Sequence, residues 1–522
     1  MSSVDKYDIR VKSVGIRSLA VSFPQAIRTN DYWLQKFPEL GIQTRQARLP
    51  KSVELSSNEN GIDLWLQEVK PYLSDPFRGS VKRRVLASDE SSLMLECRAA
   101  QNALKAAKLS PDEVDLAIVS SLFPKTVGPG QATHLAEQLG LRCPAWNLES
   151  TCASALIALQ TAQAFLQTGV YRNTSTGSVH RILIVVSHIG SHAVKETDTL
   201  SLSMGDGAGA LVVGEVKPSQ GILSTKIMPT TTTHGAYVHE LVIDSFGKPK
   251  IQTSTGENMS ILAETAVDFV RQCCLEAVRE AGVSLDEIKC FAFNTPTAWY
   301  AMLCAKALEI DPNRVINLYP LYANIGPVFP VANLAHAVSS QKIRENDLVL
   351  VYANGAAGTA AATVMRWSDV AIGSSPTETL KQPQPERPIY LTKLRDQTPS
   401  PVKVGCDLKE KLLKVKLSER ESMLKAYLLE WLASLSQLSP NNLDEQICLT
   451  TMLDSLTAIA FRSQIETDLQ IRVPIEKFLG ENTLWHLTEF LLNQLAVAEL
   501  MASEKSRVMT STQATEREIV SF

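Results

Sequence analysis

Two successive cycles of strand-like and helical segments fill most of this chain, and that repetition constrains its fold more than any other feature. From Val14 to Trp367 the first cycle reads DLAIVSSL, THLAEQLGL, PAWNLE, ASALIALQTAQAFLQTG, RILIVVSH and GALVVGE. The second reads MSILAETAVDFVRQCCLEAV, CFAFN, AWYAMLCAKAL, VINLY, PVANLAHAV and DLVLVYA. Nearly continuous apolar strands between amphipathic helices imply sheets covered on both faces, so the pattern predicts α/β architecture in two analogous halves, 1–215 and 216–367. Leu348 to Met365 is uncharged and long enough for a membrane span. It contains Tyr352, Asn354, Gly355, Gly358 and Thr359 and divides into LVLVYA, a glycine turn and TAAATVM, which predicts two buried strands.

The rest of the organisation follows from shifts in composition. Prolines 376, 383, 385, 388, 399 and 401 mark 368–417 as a linker, and Ser418 with Glu421 forms a capping-box signature before Leu424, Leu428, Trp431 and Leu435. A helical domain is therefore expected over 418–498, followed by a polar tail, 499–522. The Ser- and Pro-rich, charge-mixed stretch 37–79 reads as an inserted surface subdomain. A chain of 522 residues exceeds one ordinary core, and a net charge of −4 gives no reason to expect nucleic acid. Nine cysteines without C-x-x-C spacing argue against a disulfide framework and against a metal site. MSSVDKYDIR has no signal-peptide core, so a cytoplasmic protein without membrane partners is expected.

Cys152 lies where PAWNLE gives way to a helix of small residues. A thiol near the first helical turn meets unpaired N–H groups and the positive end of the macrodipole, which favour a thiolate, and Ala153, Ser154 and Ala155 leave room for a thioester. The same residue could equally be a packed core cysteine. Gly205-Asp206-Gly207-Ala208-Gly209 resembles a dinucleotide loop but precedes a strand rather than a helix, which argues against nucleotide binding.

Near the other end, TTMLDSL places Ser455 at the start of an amphipathic helix, where a phosphodiester would be favoured. From about Ser418 to Leu495 the text resembles the acyl carrier domains of polyketide and peptide synthases, matching at Leu453, Asp454, Ser455, Leu456, Val473, Pro474, Phe478 and Thr483-Leu484. Met452 replaces the family's usual glycine. The resemblance implies a small all-α four-helix carrier domain with 4′-phosphopantetheine on Ser455, attached by a phosphopantetheinyl transferase.

VGIRSLAVSFP, ESTCASALIALQTA, SMGDGAGALVVGE, FAFNTPTAWYAMLCAKAL, YANIGP and LVLVYANGAAGTAAATVM follow one another as in β-ketoacyl carrier-protein synthase III. That resemblance implies the thiolase fold, two α-β-α-β-α halves normally assembled as a homodimer, with Cys152 as the nucleophile and the glycine motif at 205–209 as a structural loop. It implies an oxyanion hole from the backbone of Cys152 and Gly355. The family's catalytic histidine and asparagine fall at Asn294 and Asn324, so the histidine is replaced. An amide can donate a hydrogen bond but cannot shuttle a proton, which puts decarboxylative condensation in doubt more than acylation of Cys152. Of the other histidines, His188 and His234 could approach the site.

The expected function is therefore an acyltransferase of ketosynthase III type that loads Cys152 from acyl-CoA or an acyl-carrier thioester and passes the acyl group on, in fatty-acid- or polyketide-type secondary metabolism. A decarboxylative β-ketoacyl synthase and a non-catalytic scaffold presenting the carrier domain are the alternatives.

Overall fold

The strand Arg181–Ile189 (RILIVVSHI) is buried along nearly all its length because both faces of its sheet are covered. Ile182, Ile184 and Val186 enter one apolar core, while Leu183, Val185 and Ile189 enter another on the opposite face. A computed structural model of the protein describes residues 12–37, 61–72, 75–124, 128–169, 179–196, 198–243, 249–256, 259–355, 358–374, 408–436, 449, 453, 455–478 and 482–496. The chain divides into two units, one holding the described residues up to 374 and the other those from 408 onward.

The first unit contains two sheets of matching topology. The first runs Ala371–Ile372, Val14–Ser22, Asp206–Glu215, Arg181–Ile189, Leu116–Leu122 and Ala145–Asn147 from edge to edge. The second runs Gly221–Pro229, Thr359–Arg366, Leu348–Gly355 and Ile288–Phe293, and a parallel bridge from Phe291 to Val315 adds the start of a fifth strand. Apart from the edge strand Ala371–Ile372, which pairs parallel with Val14–Ser22, each sheet has its antiparallel pairs toward the edge that begins its half and its parallel pairs toward the other. Helices Ser154–Thr168 and Phe329–Ser339 occupy equivalent places and contribute, with the inner faces of both sheets, to one core. Leu348–Met365 is indeed two antiparallel buried strands, with Leu348 opposite Arg366 and Gly355 opposite Thr359.

Several local expectations are corrected. The glycine motif at 205–209 is mostly strand, Asp206–Glu215, at the centre of the first sheet. Its glycines serve close approach: a Cβ on Gly205 would lie 2.0 Å from the Tyr322 carbonyl oxygen, and one on Gly209 would lie 2.9 Å from Val331 Cβ. Within 37–79, helix Gly61–Val69 packs on helices Met259–Glu280 and Tyr300–Ala307, with Trp65, Val69 and Phe77 buried, so this part belongs to the first unit's packing. Residues 38–60 lie outside the described residues. Past Trp367 the chain is not yet a linker, because Ala371–Ile372 pairs with Val14–Ser22, the Ser368 hydroxyl donates to Ile16 O at 2.9 Å, and Gly373 N–H donates to Leu19 O at 2.8 Å.

The second unit is helical in its described residues: Leu408–Lys414, Leu417–Ser436, Ser455–Leu469 and residues 484–496, with a single turn at Ile475–Phe478. Leu412, Leu424, Leu428, Phe461, Ile465, Phe478, Leu487 and Leu491 form its core. Leu412 lies in the stretch expected as linker, so the packed chain begins before residue 417. The described residues include no helix long and apolar enough to cross a membrane.

Candidate active site

Strand Ala145–Asn147 ends with Leu148 N–H donating to Val119 O at 2.9 Å, and the chain then turns sharply into the Cys152 helix. Thr151 takes a left-handed φ of 44°, costly for a β-branched residue, and its N–H is held by the Glu149 carboxylate. The Ser154 hydroxyl locks the turn by accepting Ser150 N–H at 2.8 Å and donating to Thr151 O at 2.7 Å. Thr151–Ala153 is one 3-10 turn, followed by helix Ser154–Thr168, which Gly169 ends in a left-handed conformation. The turn is closed by the Ala153 and Ser154 N–H groups, so the Cys152 N–H is not consumed by it.

Burial pushes the Cys152 thiol up to about 12; a hydrogen bond from the Asn294 side chain acts in the opposite direction, and the Glu149 charge adds to the rise. A helix terminus contributes at most about 2 kcal/mol, roughly 1.5 pH units, too little to give a thiolate at neutral pH. Desolvation thus opposes the thiolate that the helix start favours. Tyr237, which opens strand Tyr237–Ile243, lies close enough to sense Cys152 charge, and burial raises its own hydroxyl to about 12.

Asn294 follows strand Ile288–Phe293, and its N–H donates to Tyr352 O at 2.8 Å. Asn333, buried in the helix Phe329–Ser339, holds the adjacent carbonyl: its Nδ2 donates to Phe293 O at 2.7 Å. The Asn294 Nδ2 donates to Gly326 O at 2.7 Å, while its Oδ1 is buried and has no hydrogen-bond partner among the described residues. Because a carbonyl only accepts, the Gly326 bond fixes which end of the amide is nitrogen.

The structure therefore brings Cys152 and Asn294 into direct contact. Asn324 joins them indirectly, since its Oδ1 accepts Gly326 N–H at 2.9 Å. Gly355 abuts the Cys152 turn: a Cβ there would lie 2.5 Å from Thr151 Oγ1 and 2.7 Å from Ser150 O. The Thr230 hydroxyl holds the Gly355 carbonyl at 3.2 Å. Ser455 is the first residue of its helix in the second unit.

His188 is buried at the end of Arg181–Ile189, with Nδ1 donating to Gly205 O at 2.8 Å, which leaves Nε2 as the unprotonated nitrogen of the neutral ring. Its ring fills the space a Cβ on Gly326 would take, 2.5 Å from Cδ2, and burial lowers its pKa to about 4. Phe123 stands edge-to-face with both His188 and His239, at 5.3 and 4.9 Å between ring centroids. His239 shares a strand face with Tyr237, and burial lowers its pKa against the Glu149 charge. His234 follows the turn Thr231–Thr233. Tyr237, Phe123 and Glu149 were not singled out by sequence; the only signal for Tyr237 and His239 was their i, i+2 spacing in YVHELVI.

Residues 146–230 match the family model of 3-oxoacyl-(acyl-carrier-protein) synthase III, and residues 278–367 match that of the same synthase's C-terminal part. A β-ketoacyl-(acyl-carrier-protein) synthase III from Chelativorans is 28% identical over 296 residues, 55% of this chain and 88% of the relative. The corresponding Aquifex aeolicus protein is 27% identical over 293 residues, 56% of this chain and 89% of the relative. The crystal structure of 3-oxoacyl-(acyl-carrier-protein) synthase III from Aquifex aeolicus superposes with a TM-score of 0.52 at 24% identity, covering 68% of this chain and all of that one. The priming β-ketosynthase of the R1128 polyketide pathway superposes with a TM-score of 0.54 at 18% identity, covering 69% and 97%. With the paired sheets, these matches make the first unit similar to ketosynthase III in sequence over 146–230 and 278–367 and in fold over its length.

Proposed function

We propose that the protein is an acyltransferase of ketosynthase III type, which forms an acyl thioester on Cys152 from acyl-CoA or an acyl-carrier thioester and transfers the acyl group in fatty-acid- or polyketide-type secondary metabolism. The observation that carries this reading is the placing of the buried Asn294 amide, fixed by its bond to Gly326 O at 2.7 Å, beside the Cys152 thiol, where the resemblance leads one to expect a histidine. Acylation by thioester exchange needs no net base: the thiol proton leaves with the departing thiolate as the new bond forms. The backbones of Cys152 and Gly355 supply the oxyanion contacts, and Asn324 positions Asn294 through Gly326. Incubating the full chain with a panel of acyl-CoAs and reading intact mass tests the proposal; an acyl adduct present in wild type and absent from Cys152→Ala supports it.

The second unit is read as the fused carrier, with 4′-phosphopantetheine on Ser455 added by a phosphopantetheinyl transferase. In support, Ser455 opens a helix, and Leu453 just before it is buried in the unit's core together with Val473, Phe478 and Leu484. The family resemblance also argues for a homodimer.

Decarboxylative condensation is the second reading, favoured by the synthase names of the relatives. It is chosen if acyl-enzyme plus malonyl thioester yields carbon dioxide and a 3-oxoacyl product. Absence of any adduct on Cys152 favours a scaffold that presents the carrier.

A further inference from the structure

The Asn294 amide has a definite polarity in the site. One N–H is taken by Gly326 O at 2.7 Å, and the contact with Cys152 favours the thiolate form, as a second N–H would. The remaining polar atom, Oδ1, is an acceptor on a residue 1% exposed and has no partner among the described residues. A buried acceptor left unpaired is costly, and it is relieved only by a group that brings a hydrogen. A malonyl thioester offers oxygens at the reacting end, and its developing enolate needs donors, which Oδ1 repels.

We propose that the group receiving the acyl chain is a nucleophile carrying its own N–H or O–H, an amine or a hydroxyl, held by Asn294 Oδ1 beside Cys152. This rests on the acyl-Cys152 reading and narrows its acceptor. In the step, the nitrogen or oxygen attacks the thioester carbonyl, the carbon–nitrogen or carbon–oxygen bond forms and the carbon–sulfur bond breaks. The acceptor's proton ends on Cys152 Sγ, restoring the thiol, so the balance needs no oxidant, decarboxylation or external base. A thiol held near 12 is a strongly basic leaving group and takes that proton readily. The neutral side chains around the thiol, Asn294 and Tyr237, place no positive charge there that would hold the sulfur as a thiolate. Selection for an X–H group is a discrimination that a buried unpaired polar atom performs well.

The test uses the full chain with Ser455→Ala, acylated on Cys152 with an acyl-CoA and freed of excess reagent. Discharge of the adduct is followed by intact mass with butylamine, butanol, malonyl-CoA or buffer alone, and carbon dioxide release is read in parallel. Acceleration over buffer by butylamine or butanol of at least about tenfold, the scale of one hydrogen bond, with none from malonyl-CoA, is expected; the two arms separate amine from hydroxyl. In Asn294→His the preference should shift toward malonyl-CoA. Discharge by malonyl-CoA with matching carbon dioxide release, or equal rates in all four arms, overturns the acceptor assignment while leaving acyl-Cys152 intact. If no adduct forms at all, the acyltransferase reading fails and the acceptor assignment with it. Asn294→His retaining the wild-type preference places the acceptor away from Asn294 and overturns the proposal.

Discussion

Asn294 donates from Nδ2 to the carbonyl of Gly326 at 2.7 Å, and this bond fixes how the amide is presented to Cys152. Gly326 is held in turn by Asn324 through its N–H, and the His188 ring occupies the space that a Cβ on it would take. Four residues distant in sequence thus set the hydrogen-bonding character of one thiol.

Gly326→Ala should be more disruptive than an ordinary glycine substitution. The residue has φ of 49°, and the new Cβ would fall 2.5 Å from His188 Cδ2. Gly282, with φ of 68° and nothing within 4 Å of a Cβ, is the control. Thermal unfolding should show about 1 kcal/mol lost in Gly282→Ala and at least twice that in Gly326→Ala, with acyl-Cys152 formation lost only in the latter. Equal losses of stability would show that the His188 contact is soft.

Gly355→Ala should impair both the reaction and the fold. Its Cβ would meet Thr151 Oγ1 and Ser150 O, displacing the turn that carries Cys152. Loading from acyl-CoA should fall by about 100-fold, the usual cost of a lost oxyanion contact, and the melting temperature should fall more than in Gly282→Ala, whose Cβ meets nothing. Stopped-flow mass measurement of adduct formation checks it.

The reactivity of Cys152 should climb steadily with pH. With the thiol pushed up to about 12, the thiolate fraction rises about tenfold per pH unit through pH 7 to 10. Iodoacetamide alkylation, taken as the difference between wild type and Cys152→Ala, measures this, and a plateau below pH 9 contradicts it.

His188 should make the protein less stable in mild acid. Its folded pKa is lowered to about 4 against an unfolded value near 6.5, so between those values the unfolded chain binds the extra proton. The contribution is complete above about pH 6.5 and is lost as pH falls toward 4, on the order of 3 kcal/mol. Urea unfolding from pH 7 to 4.5 should show a decline that His188→Gln flattens.

Ser455→Ala should abolish a single phosphopantetheine adduct formed on co-expression with a phosphopantetheinyl transferase. An unmodified wild-type mass under those conditions removes the carrier reading of the second unit.

The sequence by itself determined what depends on local periodicity. The two matching cycles, the division of Leu348–Met365 into paired strands and the position of Cys152 at a strand-to-helix junction were all legible, because the hydrophobic period and a left-handed glycine such as Gly169 act over a few residues. The edge strand Ala371–Ile372 was not, since two residues carry no period, and proline content nearby suggested a linker. The glycines of 205–209 looked like loop because their reason for being glycine, the Tyr322 carbonyl and Val331, lies far along the chain. Only the tertiary structure decided the chemistry: it desolvated the thiol against the pull of the helix terminus, and it joined Cys152 of one half to Asn294 of the other. Desolvation and amide orientation are properties of an environment assembled from many segments, and no short stretch of sequence contains them.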